Sequence, residues 1–170
     1  MSRWLFGSIV ALLLAGAVLP RAEAQQELDR SQFDDWILRC NKAQPPRCDL
    51  KQRSVNGEGK QIIDFGIGYN AAENSFPLVA ELPLGILVQQ PVRLKIDEAV
   101  EFTGMKVNRC LPSGCLVEAV APPEMIEAMQ RGQKGALIVG LPDGKFVALE
   151  LSLRGFTAGS TELVARNSRS

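Results

Sequence analysis

Apolar and polar residues alternate with a period of two along most of the chain from Phe33 onward, which is typical of β-strands with one buried face. The clearest alternations lie at residues 36–40, 63–69, 92–96 and 147–153. Weaker ones lie at residues 78–82, 86–89, 100–103, 105–110, 115–120 and 136–141. Turn-forming sequences such as Asn56-Gly57 and Pro142-Asp143-Gly144 separate the apolar runs. In the first strand, Trp36 and Cys40 are expected to point inward together.

Only one stretch has helical spacing. Met125, Ile126 and Met129 fall on one helical face, Pro123 suits a first helical position, and Gly132 suits the residue just past the end. Short strands at intervals of about ten residues, with a single short helix, predict an all-β fold built as a two-sheet β-sandwich. A closed barrel is the alternative, because the strand pattern does not determine how the sheets close.

The first 24 residues have the layout of a secretory signal peptide. Arg3 gives a basic start, residues 4–19 are almost wholly apolar, and Ala22-Glu23-Ala24 forms a small-x-small cleavage site. Because the apolar run is shorter than the roughly 20 residues that span a bilayer, we expect cleavage after Ala24 and a mature protein without a membrane span. The predicted segments are a signal peptide at 1–24, a flexible lead-in at 25–32, a single domain at 33–164 and a tail at 165–170.

Composition excludes several classes of function. The chain has 19 basic and 19 acidic side chains, so it lacks the basic excess of a nucleic-acid-binding domain. It has no histidine, which excludes Ser-His-Asp and Cys-His nucleophiles and histidine zinc sites. No phosphate-binding glycine loop or calcium loop is present in the sequence, so no cofactor or metal is predicted.

All four cysteines follow the predicted leader, and an even number in an exported chain indicates paired disulfides. Cys40 and Cys48 form one cluster, and Cys110 and Cys115 form another, which favours two local bonds. The second pair flanks a segment of hairpin-loop length, so its members should face each other across adjacent strands. The alternatives are a metal site and a redox-active dithiol, although the spacings match neither a zinc knuckle nor C-x-x-C.

Several short motifs carry a resemblance to a known family. They are Trp36, Cys40, Cys48, Gln52, Leu82-Pro83-Leu84-Gly85, residues 92–97, Phe102, Cys110-Leu111-Pro112-Ser113-Gly114-Cys115 and Ser152-Leu153-Arg154-Gly155-Phe156. In this order and spacing they resemble the invasion-associated locus B family over residues 33–163. That family comprises exported alphaproteobacterial proteins, is similar in fold to immunoglobulin-like sandwiches, and has its founding role in host-cell invasion. It has no established catalytic residues, so the resemblance implies none in this chain.

Together these observations predict a periplasmic or secreted, non-enzymatic binding module with an immunoglobulin-like β-sandwich fold. Its partner would be an unidentified protein or envelope component. A small thiol-redox or hydrolytic enzyme that needs no histidine is the alternative. Exposed loops flanked by strands are the expected partner contacts. The candidate residues are Asn70, Glu73, Asn74, Ser75, Leu111 and Ser113.

Overall fold

The computed structural model of the chain describes residues 29–55, 57–59, 61–97 and 99–169. The predicted signal peptide and residues 25–28 of the predicted lead-in lie outside these ranges. The strands are β1 (Asp29–Phe33), β2 (Trp36–Cys40), β3 (Cys48–Val55), β4 (Gln61–Gly68), β5 (Phe76–Leu82), β6 (Val92–Ile96), β7 (Val100–Met105), β8 (Val107–Leu111), β9 (Gly114–Ala121), β10 (Lys134–Gly140) and β11 (Phe146–Ser152). The helices are α1 (Pro123–Arg131) and α2 (Phe156–Asn167).

The strands form two sheets whose neighbouring strands are antiparallel. The larger sheet has seven strands in the order β1-β2-β3-β4-β5-β9-β8, and the smaller has four in the order β11-β10-β6-β7. Inward-facing apolar residues of both sheets form one continuous core, so the sheets pack face to face. The predicted all-β sandwich is therefore confirmed, and the closed barrel is wrong.

Trp36 lies at the centre of the core. Its side chain is fully buried, and its ring makes edge contacts with Phe65, at 6.0 Å between centroids, and with Phe156, at 4.9 Å. Its indole Nε1 donates a hydrogen bond of 3.0 Å to the carbonyl oxygen of Ser152. Cys40 is buried on the same face of β2, as the alternation predicts.

Two sequence expectations about strands are wrong. Residues 29–32, expected to be a flexible lead-in, belong to β1, which pairs with β2 so that Asp29 lies opposite Cys40. β1 exists because its backbone completes the hydrogen bonds at the outer edge of β2, and side-chain periodicity does not report such pairing. Residues 86–89, expected to be a weak strand, instead lie in bends and turns.

Helix α1 begins and ends where the sequence predicts, with Pro123 at its start and Gly132 just past its end. The structure adds a second helix, α2, whose last turn includes residues 165–167 of the predicted tail. α2 buries Phe156, Gly159, Ser160 and Leu163, so half of its buried face is small or polar and shows no apolar stripe in the sequence. Neither helix in the described ranges is long and apolar enough to cross a bilayer.

Candidate binding surfaces

The six residues predicted to contact a partner lie at opposite ends of the larger sheet. Residues 70–75 connect β4 to β5 beside Phe76, which pairs with Ala121. Leu111 and Ser113 lie at the β8–β9 turn, beside the pair formed by Leu82 and Cys115. Six residue steps along β5, at about 3.3 Å each, separate the two ends by about 20 Å. The structure therefore divides the predicted set into two surfaces.

At the first end, the polar side chains of residues 70–75 bond within their own loop. The backbones of Asn70 and Ser75 pair in both directions, at 2.9 and 3.2 Å. The Asn70 side chain accepts the backbone N–H of Ala72 at 3.1 Å, and the hydroxyl of Ser75 donates to Glu73 at 3.3 Å. Asn74 has a left-handed backbone (φ 49°), which asparagine tolerates better than most residues. The loop is thus held in one conformation by its own side chains.

The same loop is fastened to the rest of the domain. Tyr69, which precedes it, donates its hydroxyl to the Asn74 side chain at 2.9 Å and packs its ring on Phe76. The amide of Asn167, at the end of α2, donates to the carbonyl of Tyr69 at 2.9 Å. It also accepts the N–H of Cys48 at 2.9 Å and donates to the Cys48 carbonyl at 3.1 Å. Helix α2 therefore locks β3 and β4 together beneath the loop.

At the second end, the side chain of Ser113 lines a depression of about 400 Å³. The remaining lining residues are Arg53, Ile62, Asp64, Glu81, Leu82 and Pro83. Leu111, also at the turn, is 44% exposed. In this depression the apolar residues Leu82 and Pro83 lie beside the charged residues Arg53, Asp64 and Glu81. Such a lining suits recognition of a ligand that has both polar and apolar groups.

One carboxylate in this depression, that of Asp64, is already neutralised. Asp64 accepts Lys51 Nζ at 2.8 Å and Arg53 Nη2 at 2.9 Å. Burial would raise the pKa of Asp64, but the hydrogen bonds from the two cations outweigh that effect and hold the pKa below its ordinary value. Asp64 is thus ionised and paired with two cationic side chains. A carboxylate in this state does not suit the role of a general acid.

A larger depression, of about 790 Å³, lies on the outer face of the smaller sheet. Its floor is apolar and consists of Ala136, Ile138 and Ala148, from β10 and β11. Its rim is charged and includes Lys95, Asp97, Lys134, Glu150 and Arg154. An apolar floor inside a polar rim is the usual composition of a protein recognition surface.

Sequence reasoning missed this groove, although one signal was available. The continuous apolar run at residues 136–141 is typical of a strand buried on both faces. In the structure, the outward-facing Ala136 and Ile138 of β10 are only half-buried, because no described element covers the outer face of the smaller sheet. Phe146 lies on the same face, 56% exposed, with the Arg93 guanidinium 4.9 Å from the centre of its ring.

Residues from the motifs at both ends of the domain converge on one polar network between the sheets. Gln52 donates to the Ser152 carbonyl at 2.9 Å and accepts the Ser152 N–H at 2.8 Å. The Ser152 hydroxyl donates to Asp35 at 2.6 Å, and Arg154 donates to both oxygens of the same carboxylate at 3.1 and 2.8 Å. The network joins β3 of the larger sheet to β11 of the smaller one, which indicates a structural role.

The charges in this network stabilise each other. The hydrogen bonds from Arg154, and then from Ser152, hold the pKa of Asp35 below its ordinary value. The hydrogen bond between Arg154 and Asp35 also raises the pKa of Arg154. Asp35 and Arg154 are therefore an ion pair throughout the neutral range, and neither is poised to exchange a proton.

The four cysteines form two local disulfides, Cys40–Cys48 and Cys110–Cys115. Each bond joins residues directly opposite each other on paired strands, β2 with β3 and β8 with β9. Local pairing is the arrangement that the clustering favours, and it leaves no free thiol. Among the described residues, no three acidic or cysteine side chains come together to hold a metal ion.

Known proteins resemble this chain in both sequence and structure. The curated Invasion protein B of Bartonella bacilliformis is 24% identical over 123 residues, which make up 68% of this chain and 66% of that protein. The chain thus spans just under two thirds of the length of this relative. The crystal structure of invasion associated protein B from Bartonella henselae superimposes with a TM-score of 0.74 at 25% identity, and the match covers 81% of this chain and 96% of that one.

The family match covers most of the domain. The sequence profile of the Invasion associated locus B (IalB) protein family matches residues 36–164. These limits begin at the buried Trp36 of β2 and end within α2, so they include both sheets and the network around Gln52 and Ser152. Sequence, fold and the convergence of the motif residues agree, and the chain belongs to the IalB family.

Proposed function

We propose that this chain is an exported, non-enzymatic binding module, and that it contacts its partner through residues 70–75, with the Ser113 end as a second contact. The observation that carries the proposal is the rigid loop at residues 70–75, whose backbone pairing and side-chain bonds fix its shape. A loop that is already ordered loses little conformational entropy when it binds, so its exposed groups contribute more of their interaction energy to affinity.

The state of the reactive groups supports a binding role over catalysis. Asp35 and Asp64 are held in ion pairs, and all four thiols are in disulfides. Turnover by a hydrolase without histidine would need an activated nucleophile with a base within hydrogen-bond reach. The names of the relatives connect them with invasion, and by likeness we extend to this chain a role at the bacterial surface or in the periplasm.

Export is supported by the leader and by the disulfides, which persist in oxidising compartments outside the cytoplasm. N-terminal sequencing of the protein recovered from a periplasmic fraction should begin at Gln25 or within a residue or two of it. Recovery of soluble protein that retains Met1 would contradict export.

Site-specific photo-crosslinking in living cells tests the binding role. A photoreactive residue at Glu73, or at Ser113, should capture a discrete envelope or periplasmic protein. A photoreactive residue at Glu127, exposed on the outer side of α1, is the matched control and should capture none. Equal capture at all three positions would refute the loop assignment. A defined turnover abolished by alanine at one polar residue would refute the non-enzymatic reading.

A further inference from the structure

We propose that two copies of this chain associate through β11, whose free edges pair antiparallel about a two-fold axis beside Val147. This inference goes beyond the proposed function, because β11 belongs to neither of the two surfaces assigned to partner contact, residues 70–75 and the Ser113 end. It rests on the hydrogen-bonding state of the edge strand and on a comparison of the four sheet edges.

The outer edge of β11 carries backbone groups without partners. Both the N–H and the carbonyl of Ser152 bond to Gln52 and therefore point away from β10. Because peptide orientation alternates along a strand, Phe146, Ala148 and Glu150 point the same way. The Glu150 carbonyl accepts Ser54 at 3.1 Å, whereas within the described ranges the N–H and carbonyl groups of Phe146 and Ala148 have no partner at this edge.

The other three edges have features that oppose strand addition. The described part of β1 carries the charged residues Asp29 and Arg30, and Asp29 is paired with Arg166 at 2.6 Å. β7 and β8 both pair irregularly with their neighbours, and β7 contains Gly104 with a left-handed backbone (φ 94°). Bulges, charges and short length are the usual protections of an exposed edge.

β11 lacks these protections. It has seven residues, pairs with β10 without any shift of register, and contains no proline. Glu150 is its only charged residue. Gln52 and Ser54 occupy this edge at Ser152 and Glu150, so the free part runs from Phe146 to Ala148. That part is regular and uncharged, which is the kind of edge that accepts another strand.

The pattern on β11 complements itself. With two copies antiparallel about Val147, Phe146 of each lies opposite Ala148 of the other. Four inter-chain hydrogen bonds then satisfy every free group of these two residues.

Pairing at one edge buries less than the about 800 Å² per partner of a standard interface, so the dimer should be weak and depend on concentration. Sedimentation equilibrium of the mature protein should show reversible dimerisation. In parallel, NMR-detected exchange of the Phe146 and Ala148 amide protons should slow as protein concentration rises. Monomer behaviour up to millimolar concentration, with no added protection of these amides, would overturn the proposal.

Two substitutions test the geometry. Ala148→Pro removes an N–H that bonds nothing in the monomer, so the fold should persist, while the dimer dissociation constant should rise at least about tenfold. Val147→Cys should form an inter-chain disulfide under mild oxidation, because the two-fold axis places the two Cα atoms about 4.5 Å apart. Thr103→Cys, exposed on the β7 edge, is the matched control. Dimerisation unchanged in Ala148→Pro, or equal cross-linking of the two cysteine variants, would show that β11 is not the interface.

Discussion

The side-chain amide of Gln52 pairs with the backbone of Ser152 in the way that a neighbouring strand would, donating to its carbonyl and accepting its N–H. Gln52 belongs to β3 of the larger sheet, and Ser152 ends β11 of the smaller one. One glutamine side chain, only 5% exposed, thereby continues the hydrogen-bond ladder from one sheet to the other. The amide of Asn167 makes the same kind of pair with the backbone of Cys48.

Replacing Gln52 with leucine should therefore lower the free energy of unfolding by about 2–3 kcal/mol, because both hydrogen bonds to Ser152 are lost and the Ser152 N–H is left without a partner. Urea denaturation at neutral pH measures this change. Gln133→Leu is the matched control, since Gln133 is exposed, and should alter stability by less than about 0.5 kcal/mol. A similarly small effect for Gln52→Leu would show that water replaces the amide.

The Asp35 carboxylate should make stability depend on pH in the acid range. Because its pKa in the folded state lies below its ordinary value of 3.8, ionised Asp35 stabilises the fold above that value, and the contribution disappears as the pH falls through the folded pKa. Asp35→Asn should thus be less stable than the parent at pH 7, and the difference should shrink as the pH falls through the folded-state pKa.

Urea titrations of the parent and Asp35→Asn from pH 7 to pH 2 test this expectation. The control is Asp34→Asn, because Asp34 is the exposed neighbour and has a left-handed backbone (φ 46°) that asparagine also accepts. Because Asp34→Asn leaves the Asp35–Arg154 pair in place, the loss of stability that Asp35 causes toward acid pH should persist in this variant. A deficit of Asp35→Asn that stayed constant through the acid range in which the parent loses stability would mean that the Asp35 charge contributes nothing.

The two disulfides should differ in their rate of reduction. Cys110 lies exposed on the edge strand β8, whereas Cys40 and Cys48 are 4% and 5% exposed. Since reduction requires a thiolate to reach a sulfur atom, dithiothreitol should open Cys110–Cys115 first under native conditions. Timed alkylation followed by peptide mass spectrometry identifies the order, and earlier labelling of Cys40 or Cys48 would contradict it.

Removing the exposed bond should cost little stability. Its cysteines are only five residues apart, and the chain-entropy argument for so small a loop gives about 2 kcal/mol or less. The double substitution Cys110→Ala with Cys115→Ala should consequently remain folded at neutral pH, with a modest fall in the urea midpoint. Loss of cooperative unfolding would show that the hairpin organises more of the sheet than its position at the edge suggests.

Two glycines with the same backbone conformation should respond differently to alanine. Gly155 and Gly144 have φ values of 83° and 82°, but a β-carbon on Gly155 would overlap the carbonyl of Phe33, whereas one on Gly144 meets no atom within 4 Å. Gly155→Ala should cost about 3 kcal/mol or more, and Gly144→Ala about 1 kcal/mol from the backbone alone. Thermal unfolding of both variants separates the cost of backbone strain from the cost of overlap with the Phe33 carbonyl. Equal losses of stability in the two variants would mean that β1 moves aside freely.

Strict alternation in the sequence was sufficient to predict β2, β4, β6 and β11, because each has large apolar residues at alternate positions that form its inner face. β3 escaped prediction because its inward positions include Gln52, a polar residue whose partner is about one hundred positions away. α2 escaped because Gly159 and Ser160 occupy its buried face. Gly159 leaves room for Leu50, whose Cδ1 would lie 2.7 Å from an added β-carbon, and Ser160 bonds to Gln130.

The candidate surfaces were predicted in part. Turn chemistry in the sequence indicated the loops, but it carried no information about their separation, which depends on the register of β5 with β9. The groove on the smaller sheet and the free edge of β11 depend on which strands end up at the margins. That property belongs to the topology, and local patterns do not encode it.

Contacts between the two ends of the chain determine when the domain can fold. Trp36 bonds to Ser152 across 116 positions, Cys48 to Asn167 across 119, and Asp29 to Arg166 across 137. The first strands therefore cannot complete these bonds until α2 has been synthesised, which delays folding of the domain. A chain that folds late stays unfolded long enough to pass through a narrow membrane channel, which admits only unfolded chains.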